Sequence, residues 1–206
     1  IKLYFCKFAL MKKLLLILFI IPLIGFGKSE TKIEYWDNGQ VLSQIHYLDG
    51  IRDGSCRYFY KNGNLMSEGF YKNGKMIGVW MSYFEDGQIN SHGSYKYTES
   101  GSYSRKDGTW KYYNENGQLE KGEHYKDGKL IGETKYSYFE NGRIKTEENF
   151  KDDKYDGKQY SWYQNDQIKL EWNYKNGKLD AKWTIWDEND QIKLEWNYKN
   201  GKLDGK

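Results

Sequence analysis

From Lys32 onward, apolar and polar residues alternate in short runs, and the runs are punctuated at a fixed interval. Asn-Gly or Asp-Gly pairs end at Gly39, Gly63, Gly87, Gly117 and Gly142, and Asp166 and Asp190 hold the same place in two further units. The spacings are 24, 24, 30, 25, 24 and 24 residues. Four residues before each marker stands an aromatic: Tyr35, Phe59, Tyr83, Tyr113, Tyr138, Trp162 and Trp186. Two after it stands an aliphatic: Val41, Leu65, Ile89, Leu119, Ile144, Ile168 and Ile192. Eight after it stands another aromatic: Tyr47, Tyr71, Tyr95, Tyr125, Phe150, Tyr174 and Tyr198. A period of two with aromatic enrichment predicts strands, and Asn-Gly between two such runs predicts a hairpin. No stripe with helical spacing occurs, and the single proline, Pro22, precedes the array.

The expected fold is therefore all-β: an elongated antiparallel sheet of about seven 24-residue hairpin repeats, preceded by an apolar N-terminal signal segment. The units fall near 32–54, 56–78, 80–108, 110–132, 134–157, 159–181 and 183–205. A second marker follows the first by 15 residues in six of them; in the third, six extra residues near Thr98–Tyr103 push it to Gly108. One extra residue near Glu133 predicts a β-bulge. Positions two and eight after the marker differ by an even number, which places both on one face of the strand. Stacked hairpins would then line these residues into ladders, read mainly as core. About 14 strands at roughly 4.8 Å spacing give a ribbon about 65 Å long. The chain stops at Gly205-Lys206, where a further strand is expected, so the C-terminus reads as truncated.

Two copies carry the pattern most clearly: Gly78-Val-Trp80-Met-Ser-Tyr83-Phe-Glu-Asp-Gly87-Gln-Ile89 and Gly108-Thr-Trp110-Lys-Tyr-Tyr113-Asn-Glu-Asn-Gly117-Gln-Leu119. They resemble MORN repeats, and more closely the bacterial MORN-variant arrays of the YwqK-type antitoxin family. The resemblance covers about Lys32 to Gly205. It implies antiparallel hairpins in a continuous sheet and a role in protein or membrane interaction, and its matching residues are structural. Departures are local: Cys56 and Gln159 replace the tryptophan that opens the unit, and Ala181 replaces a glycine. A second resemblance is to choline- or cell-wall-binding repeats, whose aromatic cages hold quaternary ammonium groups; their unit is shorter.

Composition fits an ordered array. Aromatics make up 18% of the residues, with 20 Tyr and 8 Trp. Large rings at regular spacing can supply the burial that few Leu, Ile and Val cannot. Met11-Lys12-Lys13, the apolar run Leu14–Ile24 and Gly25-Phe-Gly27 have the parts of a secretory signal peptide. The domain reading is thus 1–10 upstream extension, 11–27 signal peptide and 28–206 repeat array. It predicts export to periplasm, outer-membrane surface or extracellular space, with an uncleaved inner-membrane anchor as the alternative. The net charge of +3 comes from 32 basic and 29 acidic residues. The four lysines of 1–27 account for the excess, so the array itself is near neutral and unlike a nucleic-acid binder.

Candidate chemistry is sparse. The three histidines, His46, His92 and His124, lie in different repeats. No His-Glu-x-x-His, Cys-x-x-Cys or phosphate-binding glycine loop occurs. The expectation is no catalytic residue, no metal, no cofactor and no nucleic-acid partner. Repeated Lys-Asn-Gly-Lys turns offer contacts to phosphate or anionic lipid but read first as solvated turns. Trp172 and Trp196 lie six after the marker, which parity places on the face of positions two and eight, and with Leu170 and Leu194 they make the last two units more apolar than the rest. They form a candidate partner patch, or packing against a further repeat. The functional expectation is a non-enzymatic, exported interaction or scaffold module at the bacterial cell envelope. Its partner would be another protein, with envelope glycan or lipid as alternatives. A cell-wall glycan- or choline-binding protein, or an antitoxin-like neutraliser of a partner protein, are the other readings; oligomeric state stays open.

Overall fold

The computed structural model describes residues 27–97 and 103–205. The upstream extension, residues 11–26 of the signal segment and Thr98–Ser102 of the insertion lie outside the described residues. The repeat array is one open antiparallel sheet. Its strands follow in chain order: β1 (Ser29–Tyr35), β2 (Val41–Leu48), β3 (Ile51–Phe59), β4 (Leu65–Lys72), β5 (Lys75–Tyr83), β6 (Ile89–Lys96), β7 (Arg105–Tyr113), β8 (Leu119–Lys126), β9 (Lys129–Tyr138) and β10 (Ile144–Lys151). Then come β11 (Lys154–Tyr155), β12 (Gly157–Trp162), β13 (Ile168–Lys175), β14 (Lys178–Leu179), β15 (Ala181–Trp186), β16 (Ile192–Lys199) and β17 (Lys202–Leu203). Each strand pairs with the next as a meander. β11–β12 and β14–β15 are single strands broken at Asp156 and Asp180.

Two turn types alternate along the two long edges. At the first, the marker glycine donates its amide to the residue three before it, as Gly63 does to the Tyr60 carbonyl at 3.0 Å. At the second, two residues close the hairpin with positive φ: Asn73 at 49° and Gly74 at 77°, Asp127 at 51° and Gly128 at 82°. That is the mirror-image turn whose twist matches the strands. An aspartate one strand in holds it: Asp53 Oδ2 accepts from the Asn73 amide at 3.2 Å, and Asp107, Asp156 and Asp180 repeat the contact. That backbone hydrogen bond, with Lys72 alongside, holds the Asp53 carboxyl below its usual range.

The parity expectation for the aliphatic row is overturned. Phe59 pairs with Leu65, but Tyr58 pairs with Ser67, so Met66 is an extra residue in the ladder. The same one-residue slip occurs at Leu42, Asn90, Glu120, Lys145, Lys169 and Lys193. A bulge reverses the alternation beyond it. The aliphatics two after the marker therefore share a face with the aromatics four before it, here called the back face. The aromatics eight after the marker occupy the other, front face. A second, larger bulge separates repeats: Gly69 alone faces Gly78–Trp80. Near Glu133 the irregularity is smaller than elsewhere, with only Ile131 unpaired opposite His124 and Tyr125.

Among the described residues no second layer covers the apolar side of the sheet, and the core lies along the front face. The buried apolar residues are Ile45, Cys56, Tyr71, Trp80 and Trp110. Trp80 lies over Gly69 and Trp110 over Gly93; a Cβ at either glycine would overlap the indole ring. Gln159, at the position of Trp80, Trp110 and Trp183 in three other units, is 0% exposed. Its amide takes over the junction: Oε1 accepts from the Asn149 amide at 2.6 Å and Nε2 donates to the Asn149 carbonyl at 2.9 Å. Buried polar groups persist where they are paired in this way.

Two stability measurements follow from this packing. Gly93→Ala is expected to lower unfolding free energy by about 1–3 kcal/mol, since the Trp110 ring must lift from the sheet; urea denaturation reads it. Ala181 holds φ at 82°, where other units have glycine. Ala181→Gly is expected to raise stability by about 1 kcal/mol by relieving the left-handed strain, seen as a higher denaturation midpoint.

Candidate interaction surface

The front face carries a line of rings in contact across repeats. Tyr71 meets Trp80 edge-on at 5.3 Å between centroids, Trp80 meets Tyr95 at 6.1 Å, and Tyr95 meets Trp110 at 5.0 Å. Edge-to-face contacts of this kind add to area burial. Further along, Phe150 stacks on Tyr155 at 4.7 Å, and Tyr155 meets Tyr174 at 5.1 Å. Trp183 then meets Trp196 at 4.9 Å and Tyr198 at 6.0 Å. Tyr47 lies at the start of this line, with the Lys32 ammonium 4.7 Å above its ring. The sheet thus brings the aromatics at eight after the marker together on one face.

The row four before the marker goes elsewhere. Tyr35, Phe59, Tyr83, Tyr113, Tyr138, Trp162 and Trp186 lie on the back face with the aliphatics. Tyr83 donates to Glu68 Oε1 at 3.0 Å, and Tyr113 stacks against His92 at 5.8 Å. Phe70 and Val79, both more than half exposed, flank an open hollow there with Arg57, Glu68 and Met81. Gly39, Gly63, Gly87, Gly117 and Gly142 all adopt positive φ in the turns.

Leu170, Trp172, Leu194 and Trp196 fall on the front face. Leu170 and Leu194 both pair with Ile185, Trp172 pairs with Gln159, and Trp196 pairs with Trp183. They are on the side of Tyr174 and Tyr198, opposite the Ile168 and Ile192 row with which parity groups Trp172 and Trp196, because the bulges at Lys169 and Lys193 reverse the alternation. Trp196 is 37% exposed.

Several contacts had no recognised sign in single repeats. In three units the residue three before the marker bridges repeats: Trp36 donates to the Phe59 carbonyl at 3.0 Å, Tyr60 to that of Tyr83 at 2.7 Å, and Tyr163 to that of Trp186 at 2.9 Å. The spacing of 23 residues between partners was available as a signal. A polar cluster interrupts the front face at Glu123, the position that is glycine in two earlier repeats. Its carboxylate accepts from Tyr112 at 2.7 Å, Tyr125 at 2.8 Å and Lys121 at 2.8 Å. The Lys106 ammonium lies 3.6 Å away and also caps the Trp110 ring at 4.5 Å. Burial alone would raise the Glu123 carboxyl, but these donors outweigh it and hold it down at about 2. Burial, then the hydrogen bond to Glu123, pushes the Tyr125 phenol up to about 12. Cys56, the free thiol among the described residues, is pushed up to about 11 by burial. That disfavours the reactive thiolate. No group of three His, Cys, Asp or Glu able to hold a metal assembles among the described residues.

A carboxyl near 4.3 when unfolded and about 2 when folded stabilises fully above the higher value and loses that contribution as pH falls towards the lower one. Glu123→Gln is therefore expected to reduce the melting temperature at pH 7. The gap to the parent chain should narrow steadily below about pH 4; differential scanning calorimetry across pH checks it.

A family model described as MORN repeat variant matches residues 31–49, 52–73, 76–97, 106–127, 134–152, 155–176 and 179–200. No curated protein matches the chain. Among solved structures, the crystal structure of the GtfA/B complex bound to UDP and GlcNAc aligns over 59% of this chain and 22% of that chain. The identity is 12% and the TM-score 0.25. The crystal structure of TcdB2-TccC3-Cdc42 aligns over 84% of this chain and 13% of that chain, at 10% identity and a TM-score of 0.20. The chain spans less than a quarter of either, and neither likeness carries an argument. The seven matched repeats cover more than half of the sequence, and the chain belongs to the MORN repeat variant family.

Proposed function

We propose that this protein is an exported, non-enzymatic interaction module of the bacterial cell envelope that docks a partner protein on the front face of its sheet. MORN repeats are generally protein or membrane interaction modules, and the family is a non-enzymatic repeat module. The observation that supports a protein partner is the run of tryptophan, tyrosine and leucine on one face of a one-layer sheet, ending at Leu170, Trp172, Leu194 and Trp196. Tryptophan and tyrosine in packed clusters are the anchors that dominate protein interfaces. The apolar run Leu14–Ile24 behind Lys12-Lys13 supports export.

Choline-type recognition fits the front face less well. A quaternary ammonium ligand needs an open ring face. Here the chain's own cations occupy such faces: Arg52 over Tyr71 at 5.3 Å, and Lys106 over Trp110 at 4.5 Å and over Tyr125 at 4.8 Å. An antitoxin role against a cytosolic partner conflicts with export.

The test pairs capture with substitution. Full chain carrying Trp172→Ala and Trp196→Ala should fold as the parent does yet retain at least about tenfold less of a specific envelope protein after crosslinking, as loss of two hot-spot residues costs. Equal capture by both chains, or capture of no protein, would sink the reading. Retention on choline resin that Trp110→Ala abolishes would replace it with the glycan-binding one.

A further inference from the structure

We propose that copies of this chain associate edge to edge, with the lysine-bearing long edge of one against the acidic long edge of the next. This goes beyond the docking function of the front face and does not depend on it.

The lysine edge is the row of two-residue turns. Lys126 faces Lys129 across the strands, Lys151 faces Lys154, and Lys175 faces Lys178. The same pair flanks the equivalent turns of the second and last repeats. Like charges directly opposite each other in a ladder are unfavourable. The turn itself asks only for residues that accept positive φ, which Asn-Gly and Asp-Gly supply. The stems of Lys154 and Lys178 lie against Gly177 and Gly201 of the following turns, and the turn geometry itself does not call for their charge. The turns of this edge also hold Asp49, Asp127, Asp152 and Asp153 among the more numerous lysines, and in the row of aspartates just inside it Asp53, Asp107, Asp156 and Asp180 are engaged by turn amides. Two ion pairs also form there, Lys72–Asp53 at 3.1 Å and Lys96–Asp127 at 3.6 Å.

The opposite edge has the reverse sign. The seven marker turns (36–40, 60–64, 84–88, 114–118, 139–143, 163–167 and 187–191) contain nine acidic residues and two basic ones. Both basic residues are already paired with a neighbouring turn, Lys61 with Asp37 and Arg143 with Asp166, each at 3.2 Å. Glu85, Glu115, Glu140 and Glu188 occupy the same turn position in four repeats.

The two rows share one period as well as complementary sign. Both rows advance by one repeat, two strands or about 9.6 Å, because the same hairpin generates both. Lysine pairs of one copy thus meet acidic turns of another in step. The contact is heterologous and leaves the outer edges free, so it continues to further copies rather than closing on a pair. Sheet twist limits the matched length to a few repeats. Exposed ion pairs are individually weak and screened by salt, so the association is reversible and salt-sensitive.

The experiment is charge exchange, with the full chain in mild non-ionic detergent so that the apolar N-terminal segment is common to every sample. One variant carries Lys126→Glu, Lys129→Glu, Lys151→Glu and Lys154→Glu; the other carries Glu85→Lys, Glu115→Lys, Glu140→Lys and Glu188→Lys. Circular dichroism confirms that each retains its strands. Sedimentation velocity at about 20 mM salt, where screening is weak, should show the parent chain associating and each variant monomeric. An equal mixture of the two variants should recover association. At about 300 mM salt every sample should be monomeric. A parent chain that stays monomeric at low salt, variants that associate as the parent does, or a mixture that fails to recover would each overturn the proposal. Vesicles containing phosphatidylglycerol are run in parallel. Flotation of a non-associating parent chain, abolished by the lysine substitutions, would overturn it too and assign the edge to anionic lipid.

Discussion

An indole ring laid flat over a residue without a side chain gives this one-layer sheet its core. Strands in a single layer expose both faces, and ordinary aliphatic side chains standing upright would bury little against each other. Trp80 and Trp110 lie down across Gly69 and Gly93 and so cover backbone of the preceding hairpin. Tyr71 and Tyr95 then close against the indole edges. The glycine in one repeat and the tryptophan in the next are therefore one structural unit, split across a repeat boundary. At two junctions without the pair, polar groups take its place: Gln159 bonds the Asn149 backbone, and Glu123 gathers two tyrosines and two lysines; at a third, Ile45 packs with Cys56.

This arrangement makes each repeat depend on its neighbours. The strongest side-chain links run between units: the rings of the front face, and the bridging bonds of Trp36, Tyr60 and Tyr163 to the following turn. Such an array is stabilised by nearest-neighbour interfaces rather than by one central core. It also leaves long surfaces, each repeated at one period: an aromatic front face, a mixed back face and two edges of opposite charge. Extended repeating surfaces suit binding more than catalysis, which needs groups converging on one point.

Much of this was legible in the sequence, and the misses have a common cause. The hairpins could be read because their determinants are local: Asn-Gly and Asp-Gly turns, and aromatics at even spacing between them. The face of the aliphatic row could not. The extra residue that reverses its parity is Leu42, Met66, Asn90, Glu120, Lys145, Lys169 or Lys193 in the seven units, a set with no common chemistry. Only the pairing of Tyr58 with Ser67 beside Phe59 with Leu65 reveals it. Parity therefore places Trp172 and Trp196 with the wrong aliphatics, Ile168 and Ile192, while placing them correctly beside Tyr174 and Tyr198. The contact of Trp80 with Gly69 needed knowledge of register between repeats, which no single repeat contains.

By itself, then, the sequence determined the period, the strand class, the turns and the family, because each is set within a hairpin by backbone preference and side-chain alternation. Only the tertiary structure decided which residues share a face and which ring covers which glycine. Those depend on bulges and on the stagger between hairpins. A one-residue slip there turns every side chain beyond it to the other side of the sheet.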